Sequence, residues 1–70
     1  MMTYGLYLII DGGKEMVLAG LFRYRKEALD AMRKLSQDEE KIQLQAKGKD
    51  VTCLEVIDHD NYTTMDYIPV

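Results

Sequence analysis

The chain has 70 residues, a net charge of −3, 47% hydrophobic and 30% charged residues, one cysteine and one proline. These values describe a single domain, residues 1–70, near the lower size limit for a core that folds unaided, and they exclude a disordered chain and a disulfide scaffold. No stretch approaches the ~20 apolar residues of a membrane-spanning helix, and the N-terminus lacks the basic and small-residue pattern of a secretory signal, so a soluble cytoplasmic protein without membrane contact is expected.

Two apolar runs, Tyr4 to Ile10 and Met16 to Phe22, flank Asp11-Gly12-Gly13-Lys14. A Gly-Gly centre supplies the positive φ that tight hairpin turns need. With the two glycines as the loop, Asp11 faces Lys14, Ile9 faces Met16 and Leu8 faces Val17. One face of the hairpin then carries Tyr4, Leu6, Leu8, Ile10, Val17, Ala19 and Leu21, and the other carries Tyr7, Ile9, Met16, Leu18 and Phe22. Both faces are apolar. Strands are expected over about 3–10 and 15–22, with Gly20 marking a bulge or the close approach of another backbone.

The period then changes. Ala28, Leu29, Met32 and Leu35 form a helical stripe among Glu27, Asp30, Arg33 and Lys34, which predicts a helix over 24–36. Glu39, Ile42 and Ala46 continue the stripe towards Gly48, whereas Ile42-Gln43-Leu44-Gln45 alternates with period two and admits a short strand. A continued helix with a frayed end is the favoured reading. From Asp50 the alternation returns: Thr52, Leu54 and Val56 share one face, and Val51, Cys53 and Ile57 share the other. Asp58 to Asn61 is turn-forming, and Tyr62 to Ile68 makes a last strand.

The expected fold is a small α+β domain, ββαββ, with a four-stranded antiparallel sheet in the order 2-1-3-4 and one helix on one face. The helix covers Leu6, Leu8, Val17, Leu54 and Val56, leaving Tyr7, Ile9, Met16, Leu18, Cys53 and Ile57 on the open face. Burying each such side chain is worth roughly 1.5–3 kcal/mol, and monomers seldom expose a contiguous patch of this kind. These six residues are the candidate interface, with either a second copy or a larger protein.

Catalytic and ligand motifs are weak by comparison. Asp58-His59-Asp60-Asn61 resembles half of a metal shell, but neighbours at a strand end point to different sides and no second His or Cys is near, so a solvated turn without metal is expected. Cys53 lies about 20 Å along the strand from His59, the one candidate base, and reads as a packed thiol. Asp11 to Lys14 lacks the spacing and following helix of a phosphate loop. No cofactor and no catalysis are expected. Arg23-Tyr24-Arg25-Lys26, with Tyr7, carries a weaker reading as a nucleic-acid contact.

Charge is uneven along the chain. Residues 23–50 hold eight basic and six acidic residues, whereas residues 51–70 hold Glu55, Asp58, Asp60 and Asp66 and no Lys or Arg. Spaced carboxylates on a small rigid scaffold imitate a phosphate backbone and suit a protein with a basic surface; Asp38, Glu39 and Glu40 are further candidates for this acidic surface. In size and charge the chain resembles phage- or mobile-element-encoded inhibitors, including anti-CRISPR proteins. That resemblance implies an inhibitor or adaptor that blocks a nucleic-acid-handling protein, and it specifies no residue. The alternative is a symmetric homodimer whose joined sheets form a scaffold or small-ligand surface.

Overall fold

A computed structural model describes residues 2–70. Its elements are β1 (Tyr4–Ile10), β2 (Glu15–Phe22), α1 (Arg25–Ser36), α2 (Glu39–Ala46), β3 (Val51–Asp58) and β4 (Thr63–Pro69). The four strands form one antiparallel sheet in the order β2-β1-β3-β4, as the sequence predicts. Both helices pack on the same face, over Leu6, Leu8, Ile10, Val51, Leu54 and Val56.

The helical segment is not one helix but two. α1 buries Ala28, Met32 and Leu35, and its last turn holds Arg33 and Lys34, where cations complement the dipole. The chain leaves the α-helix at Gln37 and Asp38, whose N–H groups donate to Lys34 and Leu35 carbonyls at 3.2 and 3.0 Å. Asp38 then starts α2: its carboxylate accepts from the Lys41 backbone N–H at 3.1 Å, and Glu39 and Glu40 fill the acidic first turn. An aspartate inside a helix competes for backbone donors, and here it wins a new N-terminus. α2 stops at Lys47 and Gly48, both at positive φ, with the Gly48 N–H donating to the Gln43 carbonyl at 3.3 Å.

Hairpin β1–β2 keeps the predicted register where Ile9 pairs with Met16, Leu8 with Val17 and Tyr7 with Leu18. A bulge at Ala19 then shifts the ladder, so that Leu6 pairs with Gly20, Gly5 with Leu21 and Tyr4 with Phe22. The expected faces of the last two residues are therefore exchanged: Phe22 packs against the core, and Leu21 lies on the open face, 45% exposed. A Cβ on Gly20 would lie 2.9 Å from the Phe22 ring, so this glycine gives the aromatic ring its place.

A second bulge, at Thr52, corrects the start of β3. Ile10 pairs with Val51 and Ile9 with Cys53, which turns Val51 into the core and Thr52 outward. Thr52 has a use there: its Oγ1 accepts from the Gly12 N–H at 2.7 Å and steadies the β1–β2 turn. A third bulge, at Met65, separates the Ile57–Thr64 and Val56–Asp66 pairs.

Ile42 is 1% exposed and Leu44 is 72% exposed. Ile42→Ala should therefore lower the unfolding free energy by about 2–4 kcal/mol, whereas Leu44→Ala should change it by less than ~0.5 kcal/mol. Urea denaturation of the two variants checks which side of α2 holds the fold.

Candidate functional site

The registers arrange the uncovered side of the sheet as three cross-strand rows. Met16, Ile9, Cys53 and Pro69 form the first; Leu18, Tyr7, Glu55 and Tyr67 the second; Leu21, Gly5, Ile57 and Thr64 the third. Cross-strand partners share a face, and among the described residues no helix lies over these rows. Glu55 and Thr64 interrupt rows that are otherwise aliphatic or aromatic.

Exposure across the rows is graded. Ile9, on the central strand, is only 7% exposed, and Tyr7, Cys53 and Ile57 are half-buried by their neighbours. Ile9 is thus shielded within its own chain and supports the surface rather than presenting it. The outer positions carry the accessible area: Met16 is 47% exposed, Leu18 49% and Tyr67 59%. The sequence reading placed Met16 and Leu18 on this side but missed Leu21, Tyr67 and Pro69. Gly20 was the signal for Leu21; Tyr67 follows only once β4 is registered against Glu55.

One corner of the face is closed by a hydrogen-bonded pair. The Tyr7 hydroxyl lies 2.8 Å from His59 Nε2, and the two rings meet edge-on with centroids 5.9 Å apart. Both rest over Gly5, where a Cβ would approach His59 Nε2 and the Tyr7 ring to 2.6 Å. The His59 N–H also donates to the Thr3 carbonyl at 2.8 Å. His59 is therefore built into the end of the sheet.

The four expected acidic contacts do not form one cluster. Asp58 is buried, and its carboxylate accepts from the Asp60 N–H at 2.9 Å and from Asn61 Nδ2 at 3.0 Å. The Asn61 donor, helped by backbone N–H groups and the nearby His59, holds this carboxyl below its ordinary range against the opposing effect of burial. Asp58 thus stabilises the turn instead of meeting solvent. Asp60 is exposed on that turn, whereas Asp66 pairs with Val56 and so lies at the helix-facing side of the β4 edge.

Glu55 alone stands within the open face. Thr64 Oγ1 donates to its Oε2 at 3.4 Å, and Cys53 Sγ sits 3.9 Å from its Oε1. Burial first, then the negative charge and hydrogen bond of Glu55, push the Cys53 thiol pKa up. A thiol so placed is a poor nucleophile at neutral pH. Among the described residues, no group of three or more His, Cys, Asp or Glu side chains is placed to hold a metal ion, and no helix is long and apolar enough to cross a membrane. No family model, no curated protein and no solved structure matches the chain.

Two outcomes follow from these environments. Cys53 should react with iodoacetamide at pH 8 several-fold more slowly in the native protein than in urea, with the native rate rising towards higher pH. Asp58 has a lowered folded-state pKa, so its contribution is complete above about pH 4 and is lost as pH falls through the folded value. Asp58→Asn should be less stable at pH 7 and show a flatter loss of stability on acidification, measured as urea midpoints from pH 7 to pH 2.

Proposed function

We propose that the chain is a non-catalytic interaction module that docks on a larger protein through the open face of its sheet. The observation that supports this reading most directly is the set of half-exposed apolar side chains, Met16, Leu18, Leu21 and Tyr67, arrayed around a buried Ile9. Covering each of them contributes on the order of 1 kcal/mol, about half the value for full burial. Tyr and Met are enriched at protein interfaces, and Tyr67 and Met16 are of these types.

Glu55 favours a foreign partner over a second copy. Burying a carboxylate is costly unless a cation or several donors meet it. The three rows contain no Lys or Arg, so an identical face brings another Glu55 and no Lys or Arg to meet it. A partner with an apolar patch and a basic residue near its centre supplies what is missing. Residues 51–70, free of Lys and Arg, extend the preference for basic surroundings through Asp60. A protein that handles nucleic acid offers such a surface, and occupying it makes this chain an inhibitor or adaptor. That finer reading rests on charge and on the resemblance in size to small mobile-element inhibitors. The symmetric homodimer, using the same residues, is the competing arrangement.

Capture from the native host with tagged wild type, Leu18→Asp and Glu55→Lys tests the proposal. A basic protein retained by the wild type, lost with Leu18→Asp and weakened at least tenfold by Glu55→Lys is expected, with the free chain sedimenting as a monomer. Equal retention by all three proteins, or a wild-type mass twice that of the monomer that Leu18→Asp halves, excludes the hetero-docking reading.

A further inference from the structure

Glu55 is the one acidic residue in the three rows of the open face, and it is half-buried there. A tyrosine stands directly across from it on each neighbouring strand, Tyr7 on β1 and Tyr67 on β4. The fold offers its carboxylate two long contacts: Thr64 Oγ1 at 3.4 Å from Oε2, and the Cys53 thiol, a weak donor, at 3.9 Å from Oε1. An ionised carboxylate has about four acceptor positions, so most of its capacity is unused. Among the described residues no Lys, Arg or His side chain lies within ion-pair distance of it.

The two tyrosines stand differently. Tyr7 is held away from the carboxylate, its hydroxyl 2.8 Å from His59 Nε2 and its ring over Gly5 in the next row. Tyr67 lies on the outermost strand and is 59% exposed. Two strand spacings, about 9–10 Å, separate Tyr7 from Tyr67 across Glu55. That width admits one flat group above the carboxylate and against the Tyr67 ring.

Charge complementarity decides what the group is. A half-buried carboxylate calls for a cation, and the two basic side chains differ in what they lose on leaving water. An ammonium is compact and strongly hydrated. A guanidinium is planar and weakly hydrated, presents a fork of donors that matches a carboxylate, and stacks on an aromatic face. We propose that the partner presents an arginine at this point, its guanidinium paired with the Glu55 carboxylate and stacked on the Tyr67 ring. This assignment rests on the docking proposed above and names the residue that docking must bring.

The test is an NMR titration of the full-length, ¹⁵N-labelled protein at pH 7 and low salt with the peptide acetyl-Leu-Arg-Leu-amide. Saturable shifts centred on Glu55, Thr64 and Tyr67 are expected. The same peptide with lysine should bind about threefold more weakly or worse, and with uncharged citrulline about tenfold more weakly. Glu55→Gln should weaken the arginine peptide about tenfold. Tyr67→Leu, which keeps an apolar side chain and removes the ring, should weaken it about two- to fivefold. Both variants change side chains outside the buried core, and dispersed spectra check that they fold. No saturable shift at these residues, equal or tighter binding of the lysine peptide, or full binding by either variant overturns the proposal. The outcome separates from that of the host capture. A captured basic protein that depends on Leu18, together with an inert arginine peptide, overturns the arginine and leaves the docking in place. Arginine-selective shifts without any such protein uphold the arginine site and remove the docking.

Discussion

The whole molecule is organised around one constraint: β1 is apolar on both sides and sits in the interior of a sheet that has helices on only one. Leu6, Leu8 and Ile10 are at most 2% exposed beneath α1 and α2. Ile9 points the other way and is still nearly buried, because Met16 and Cys53 flank it in the same row. A domain of this size has helix enough for a single layer. The second face is therefore closed only by the breadth of its own neighbouring strands, which hide the middle of the sheet and leave its margin accessible.

The open face as a whole is chemically uneven. Apolar contact alone discriminates poorly between partners, whereas a half-buried carboxylate penalises any surface that cannot answer it. Glu55 occupies such a place, held by Thr64 and bordered by Tyr7 and Tyr67. Burial, and after it the charge and hydrogen bond of Glu55, raise the pKa of the neighbouring Cys53 thiol. The one cysteine thus belongs to the apolar surface.

Strand order, the Gly-Gly hairpin and most of the core were legible because period-two and period-3.6 patterns are cumulative, and single irregular residues scarcely dilute them. Leu6, Leu8, Leu54, Val56, Ala28 and Met32 all lie where those periods place them. The errors gather where one residue breaks the count. Ala19, Thr52 and Met65 are each an extra residue in a ladder, and only the first has a neighbouring glycine to announce it. Leu21, Phe22, Val51 and Thr52 changed sides for that reason alone. The division of the helical segment depended on Asp38, an ordinary helix-surface residue by pattern and a capping residue by chemistry. The opposition of Tyr67 to Glu55 was beyond reach, since it depends on how β4 registers against β3.

The irregular ladders have an effect on solubility as well as on facing. β2 and β4 are the free margins of the sheet, and an apolar free margin is a template on which further chains add. Fibrils grow from flat segments of about six or seven residues in continuous register. Ala19 divides β2 into four residues before it and three after it, while β4 is interrupted at Met65 and has Pro69, which has no N–H to donate. Each interruption also sharpens the local twist. Neither border of the sheet runs straight for long enough to be a good template for a further chain.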